Sequence, residues 1–109
     1  MSQKNNCQST EEMIQEKNLN APRLTPQLIQ DTIQKCDFHK LTDVLTVCVL
    51  TLQNGFTVTG ESACASPENY DKAIGEKIAK ENAVEKIWLL ESYLLKQKLY
   101  LAKKYGIEE

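Results

Sequence analysis

A helical stripe near the C-terminus is the feature that most constrains the fold of this 109-residue chain. Between Asn69 and Lys98 apolar residues recur every three or four positions, which is typical of one face of an α-helix. The stripe consists of Ile74, Ile78, Ala83, Ile87, Leu90 and Leu94, widened by Ala79, Trp88 and Leu95. A continuous helix of roughly 30 residues would be ~45 Å long, whereas a domain of this size has a radius of gyration of ~13 Å. The helix therefore either breaks, with Gly75 as the weak point, or projects beyond the domain.

The tail that follows, KQKLYLAKKYGIEE, carries more apolar residues among four lysines. Leu99, Leu101 and Tyr105 have no partner that an isolated small domain could offer them. We expect this extension to contact a second subunit, which predicts a homo-oligomer. A solvated, fraying end is the alternative.

Two apolar runs, LTVCVLTL and FTVTGESAC, flank Asn54-Gly55 and predict an antiparallel β-hairpin over about residues 44–65. Asn-Gly favours a two-residue type I′ turn, which would place Gln53 opposite Phe56 and Thr51 opposite Val58. In that register Leu45, Val47, Val49 and Thr51 share the core face with Val58 and Gly60. The other face would then carry Thr46, Cys48, Leu50 and Leu52 with Thr57, Thr59, Glu61 and Ala63.

The segment LTPQLIQDTIQKC predicts an N-terminal helix that ends near Asp37. Thr25 is suited to cap it, and Pro26 suits the first helical position because its missing N–H is not needed there. Leu28, Ile29, Ile33 and Cys36 would share one face. The fold class predicted is therefore α+β, in the order α-β-β-α.

The first residues are polar and predict a mobile N-terminal arm over residues 1–23, followed by a single domain over 24–109. Ser9 and Glu12 fit a capping box, so a short helix over about residues 10–17 is possible within the arm.

The charge balance restricts the partners. Thirteen basic and fifteen acidic residues give a net charge of −2, which makes a nucleic-acid partner held by phosphate neutralisation unlikely on sequence grounds. No apolar run reaches the ~20 residues of a membrane-spanning helix, so no membrane partner is expected.

The four cysteines include no C-x-x-C pair, and no signal peptide is recognisable, which favours a reducing cytoplasm. Cys48 and Cys64 are interpreted as small apolar strand residues.

The residues that carry enzyme chemistry are sparse. His39 is the only histidine, at a predicted helix-to-strand junction, and no nucleotide-binding, hydrolase or metalloprotease motif is present. Glu61, Asp71 and Glu91 remain candidates for acid-base work, but so small a chain offers little cleft. We therefore expect no catalytic residues, no metal, no cofactor and no enzyme activity.

The region from Leu45 to Leu95 carries a resemblance. The strand LTVCVLTL, the turn and strand NGFTVTGESAC, a proline, an aromatic-Asp pair and the helix motif A-x-x-x-A-x-x-K-x-W-x-L-E-x-Y-L-L resemble the gene-product-49/gene-product-66 family of small tailed-phage proteins. Tyr70 stands where the family pattern has phenylalanine, and Ser92 where it has glycine. The resemblance covers about half of the chain.

The resemblance implies a phage accessory protein made in the host bacterial cytoplasm. Small phage proteins of this kind commonly act in counter-defence or on the host, by sequestering a nucleotide signal or blocking a host protein; this is an analogy between proteins, not a property of a fold. Eight residues are candidates to line one pocket for a nucleotide-like ligand: Thr59, Glu61, Ser62, Asn69, Tyr70, Lys86, Trp88 and Glu91. Structural roles remain the alternative, with Asn69 as a helix cap and Trp88 in the core.

Two other functions stay open. The segment IGEKIAKENAVEKI resembles the final helix of double-stranded-RNA-binding domains. Two features oppose this function. The predicted order α-β-β-α is one strand short of that fold, and the lysines of the segment alternate with glutamates, as on a solvated helix face. A structural or assembly protein, joined through the long helix, is the third possibility.

Overall fold

A computed structural model describes residues 22–106 of the chain. The elements are α1 (Pro26–Asp31), β1 (Ile33–Lys40), β2 (Leu45–Leu52), β3 (Thr57–Ala63), a 3-10 turn (Pro67–Asn69) and α2 (Lys72–Tyr105). The α+β class and the long C-terminal helix are confirmed. Most of the predicted N-terminal arm, including the possible helix over residues 10–17, lies outside the described residues.

The first helix is shorter than its sequence pattern predicts. Thr25 caps it by accepting a hydrogen bond from the Leu28 N–H (3.1 Å), and Pro26 occupies the first turn, both as expected. The helix ends at Asp31, however, not near Asp37. There the Thr32 hydroxyl donates to the Ile29 carbonyl (2.7 Å), a local side-chain bond that competes with helix propagation.

The residues after Thr32 form a strand, so the prediction of a two-stranded hairpin is wrong. β1, β2 and β3 form one antiparallel sheet in that order. Phe38 lies opposite Cys48 and Cys36 opposite Leu50, which puts both β1 side chains on the same sheet face as their partners. Pairing with the free edge of β2 satisfies the backbone of 33–40 and outweighs the helical spacing that suggested a longer α1.

The turn between β2 and β3 also differs from the prediction and changes the core face. Gly55 has a positive φ (92°), and the Asn54 side chain accepts from the Phe56 N–H (3.0 Å). Leu52 therefore bonds to Phe56 across a three-residue turn, with N–H to carbonyl at 2.8 Å. Thr51 pairs with Thr57 instead of Val58.

A shift of one residue exchanges the two faces of a strand. The buried side chains of β2 are Thr46, Cys48, Leu50 and Leu52, the set that the sequence placed on the outer face. Val58 and Gly60 of β3 lie on this face, as predicted. The opposite, half-exposed face carries Leu45, Val47, Val49 and Thr51, so their assignment to the core is wrong.

The long helix α2 packs on the sheet through small residues. Its N-terminus is capped by Asp71, which accepts from the Ile74 N–H (3.0 Å), and it ends at Gly106 in the left-handed conformation. The buried residues repeat every fourth position: Gly75, Ala79, Ala83 and Ile87. Ala79, Ala83 and Ile87 form the core together with five residues from the other elements: Ile29, Cys48, Leu50, Leu52 and Val58.

The helix does not break at Gly75. It runs without interruption from Lys72 to Tyr105, about two turns farther towards the C-terminus than the sequence pattern suggested. Because the sheet underlies only its first half, the second half projects. The radius of gyration of 17.5 Å exceeds the ~13 Å of a compact domain of this length for the same reason.

Gly60 should be the least replaceable residue of the sheet. A Cβ on Gly60 would lie 2.2 Å from the Ala79 carbonyl oxygen and 2.3 Å from the Ala83 nitrogen, so α2 would have to move away from β3. We expect Gly60→Ala to lower the free energy of unfolding by about 1–3 kcal/mol, measured by chemical denaturation. Thr59→Ala, on the outer face of the same strand, is the control. Equal losses in the two variants would contradict this packing.

Candidate functional site

The eight residues predicted to line one pocket lie in three regions. Ser62, Asn69 and Tyr70 come together where β3 ends and α2 begins. Thr59 and Glu61 belong to the outer face of the sheet, because side chains alternate along β3 and Gly60 faces the helix. Lys86, Trp88 and Glu91 lie on α2, beginning 14 residues or ~21 Å along the helix from Lys72. The eight residues therefore do not line a single pocket: the structure brings three of them together and places the other five elsewhere, and ligand binding by any of them stays a prediction.

The five separated residues have other surroundings. The Glu61 backbone carbonyl accepts from the Asn82 side chain (2.8 Å), which ties β3 to α2. Trp88 packs against the core and lines a groove with Leu24 and Leu99. Glu91 lines a cleft at the opposite end of the sheet from Tyr70. Lys86 is exposed, and Thr59 is half-buried.

The residues around Tyr70 form the candidate site, here called the Tyr70 site: Phe38, Lys40, Thr46, Ser62, Asn69, Tyr70 and Lys72. The 3-10 turn sets the position of Tyr70, whose N–H donates to the Pro67 carbonyl (3.1 Å). Asp71, the next residue, caps α2 and so fixes the chain direction on the other side. Both contacts hold the Tyr70 ring over the end of the sheet.

Thr46 is the buried polar residue of the site, with only 2% of its surface exposed. Its hydroxyl oxygen lies 3.4 Å from the Tyr70 hydroxyl. Gly75 leaves room for the Thr46 side chain beneath α2. A Cβ at residue 75 would lie 3.2 Å from the Thr46 hydroxyl oxygen, which is closer than an ordinary van der Waals contact. The hydroxyls of Thr46 and Tyr70 thus meet at the boundary between core and surface.

Two cavities adjoin Tyr70. One, of about 120 Å³, is lined by Thr46, Ser62, Asn69 and apolar residues of α2. The other, of about 390 Å³, is an open cleft lined by Phe38, Lys40, Thr46, Tyr70, Lys72 and Glu76. Small-molecule sites are commonly ~300–1,000 Å³, so the cleft has room for a small ligand and the smaller cavity has room for one substituent.

The cleft favours an anion beside an aromatic ring. The Lys40 ammonium lies 4.3 Å from the centroid of the Tyr70 ring, a cation–π contact worth ~0.5–1 kcal/mol at an exposed position. Lys72 adds a second cation, and Glu76 is the one acidic residue lining the cleft. The arrangement can bind a phosphate or carboxylate at its lysines and a flat ring against tyrosine.

Four residues of the Tyr70 site were missed by sequence reasoning: Phe38, Lys40, Thr46 and Lys72. Lys40 reaches the site only because β1 pairs with β2 and ends opposite Thr46. The available signal was the alternation of Cys36 and Phe38, which is typical of a strand.

Of the two cysteines interpreted as small apolar strand residues, Cys48 lies in the core, whereas Cys64 lies just beyond the end of β3, half-buried, with its thiol bonded to the Ser66 carbonyl (3.4 Å). Cys48 is fully buried, its sulfur 3.8 Å from that of Cys36, and burial raises the pKa of the Cys48 thiol from 9.0 to about 12. The interpretation of Cys48 as a small apolar strand residue agrees with this position. Within residues 22–106 no group of three or more His, Cys, Asp or Glu side chains is arranged to hold a metal ion.

No helix in the described part of the chain combines the length and the apolar character needed to cross a membrane.

The fold and the site define a small two-layer α+β protein with an open, cation-lined cleft at one end of its sheet. The sequence model of the Phage protein (N4 Gp49/phage Sf6 gene 66) family matches residues 24–99, and the chain belongs to this family. The resemblance seen in the sequence is thereby confirmed. Comparisons with characterised proteins and with solved structures found no match.

Cys48 should be unreactive in the folded protein. At pH 9 about half of an ordinary thiol is ionised, whereas a thiol with a pKa of about 12 remains protonated and is a poor nucleophile. We expect iodoacetamide to leave Cys48 unlabelled in the native state and to label it after unfolding in guanidinium, as read by peptide mass spectrometry.

In the unfolded chain the Cys48 thiol loses its proton at a lower pH than in the folded protein. The thiol's contribution to stability is therefore complete below about pH 8.5 and is lost as the pH rises towards 12. Rapid native labelling would contradict the burial.

Proposed function

We propose that this protein is a non-enzymatic phage accessory protein that binds and sequesters a nucleotide-like ligand at the Tyr70 site in the cytoplasm of the infected bacterium, as a counter-defence. The observation that carries the proposal is the Tyr70 ring, which borders a cleft of about 390 Å³ together with Lys40 and Lys72. Membership of a phage protein family supports the setting; the family's description names no activity.

The chemistry of the cleft suits a nucleotide in two parts. Aromatic side chains stack on bases without regard to sequence, contributing ~1–3 kcal/mol per base. Lysine ammonium groups bind phosphate as point charges. Ser62 and Asn69, on the other side of Tyr70, offer a hydroxyl and an amide that could bond to sugar or base edges.

The carboxyl groups near the site support binding more than turnover. The Asp71 carboxylate is engaged as the cap of α2, accepting from the Ile74 N–H (3.0 Å). Glu76 lies in an open cleft where water competes for every contact. Within residues 22–106 neither carboxylate is hydrogen-bonded to a serine, threonine or cysteine side chain, the contact by which a general base activates a nucleophile.

Double-stranded nucleic-acid binding is the second candidate, and one observation favours it. With β1 present, the order of elements becomes α-β-β-β-α, which supplies the strand that the sequence pattern lacked for a double-stranded-RNA-binding domain. The charges of α2 oppose it, because Lys77 is paired with Glu81 and the neighbouring lysines alternate with Glu76 and Glu85. A structural or assembly role has its basis in the second half of α2, treated below.

Ligand capture can be tested by calorimetric titration of the full chain. The probes are cyclic GMP–AMP, cyclic tri-AMP and AMP, with inorganic phosphate as the minimal anion. We expect at least one nucleotide to bind, Tyr70→Ala to weaken it about tenfold through loss of stacking, and Tyr70→Phe to bind nearly as well. Lys72→Glu should weaken binding by a similar factor.

Lys86→Glu is the matched control, because it makes the same charge change on the same helix outside the Tyr70 site. Its affinity should equal that of the unaltered protein. The proposal fails if no nucleotide binds, or if Lys86→Glu loses as much affinity as Lys72→Glu.

Duplex RNA binding separates the two candidate functions. We expect the protein to bind a 20-base-pair duplex no more tightly than non-specific proteins do, with a dissociation constant above ~1 µM at physiological salt. An electrophoretic mobility assay at low and physiological salt measures this. Submicromolar binding that falls ~10³-fold as salt rises from 50 to 200 mM would favour the second candidate instead.

A further inference from the structure

The second half of α2, residues 89–105, is here called the α2 extension. Its exposed large apolar side chains are Leu89, Leu90, Tyr93, Leu94, Leu99, Tyr100, Leu101 and Tyr105. A helix with apolar residues on several sides belongs in an interior, not in water. Tyr93 is 66% exposed and Leu94 52%, so covering them would remove a large apolar area from solvent.

We propose that the α2 extensions of two copies of this chain pack against each other antiparallel, forming a two-fold symmetric dimer. The inference is independent of the Tyr70 site, which lies at the other end of the sheet.

The first argument is continuity with the intramolecular core. Ile87 is fully buried against the sheet. Steps of three and four residues in alternation lead from Ile87 to Leu90, Leu94, Gln97 and Leu101. This is the spacing of a coiled-coil seam. The face that the sheet covers up to Ile87 therefore continues beyond the sheet as a row of leucines that are 38–52% exposed.

The second argument concerns direction. The sheet already occupies the seam side of α2 as far as Ile87, so a parallel pair would require two sheets in the same space. In an antiparallel pair each extension lies past the end of the partner's sheet. A two-fold axis then relates the helices, as in most homodimers.

The third argument is charge. An open cleft of about 320 Å³ at the end of the sheet is lined by Leu28, Leu52 and two carboxylates, Asp31 and Glu91. The extension is basic, with Lys96, Lys98, Lys103 and Lys104. If Leu90 lies opposite the partner's Leu101, the heptad positions place Glu91 beside the partner's Lys98. The basic extension of one copy would thus pass over the acidic cleft of the other.

The dimer is tested by light scattering after size exclusion of the full chain, whose 12.4 kDa monomer should give twice that mass. Leu90→Asp and Leu101→Asp each place a charge in the seam and should give monomers at the same concentration, with unchanged helical circular dichroism because both residues are on the surface. Leu41→Asp alters a still more exposed leucine (62%, against 38% for Leu90 and Leu101) outside α2 and should remain dimeric.

The orientation is tested by charge reversal. Glu91→Lys and Lys98→Glu should each weaken dimerisation about fivefold, and the double variant should restore it to within about twofold of the original, because the pair is re-formed with opposite sign. Glu85→Lys, an exposed position on α2 away from the seam, should leave the dimer unchanged.

Several outcomes would overturn the proposal. A monomeric mass for the full chain at ~100 µM would do so, since an interface of standard size binds more tightly than that. If the Ile14→Asp substitution then converted such a monomer into a dimer, the apolar surface of the α2 extension would be covered by residues 1–21 of the same chain and not by a second copy. Charge reversal without restoration in the double variant would overturn the antiparallel arrangement.

Discussion

The close approach of the β3 backbone to α2 is the constraint on which the rest of the structure depends. At Gly60 no side chain separates the strand from the helix backbone at Ala79 and Ala83. The small residues Gly75, Ala79 and Ala83 make this contact possible along two turns of the helix. Because the contact fixes α2 over one face of the sheet, it determines which side chains of β2 are buried and which part of α2 lies beyond the sheet.

Both functional regions follow from that contact. At one end, the Asp71 cap begins the helix beside the sheet and brings Tyr70 over Thr46 and Lys40. At the other end, the same straight helix continues for 18 residues past Ile87, the last residue buried against the sheet. The candidate ligand site and the proposed dimer surface are thus separated by the length of one strand. We expect a substitution in either region to leave the other unaltered.

The sequence was sufficient for the helices and strands with strong local signals. Asn54-Gly55 marked the hairpin, and the three- and four-residue spacing after Asp71 marked α2. It was insufficient where tertiary pairing decides. Residues 33–40 satisfy a helical pattern as well as an alternating one, and only the open edge of β2 favours the strand. One extra residue in the turn exchanged the faces of β2 relative to β3, so that Thr46, Cys48, Leu50 and Leu52 are buried in place of Leu45, Val47 and Val49. Lys40 joined the site through that unforeseen strand.

The central claim is that α2 is one rigid helix whose first half is held by its own sheet and whose second half is covered by another copy. Hydrogen–deuterium exchange of the backbone amides tests it most directly, by comparing peptides from residues 72–88 with peptides from 89–105 at about 1 µM and about 100 µM protein. The account predicts slow exchange in the first half at both concentrations and exchange in the second half that slows at least tenfold at the higher one. Fast exchange of residues 89–105 at both concentrations would contradict it.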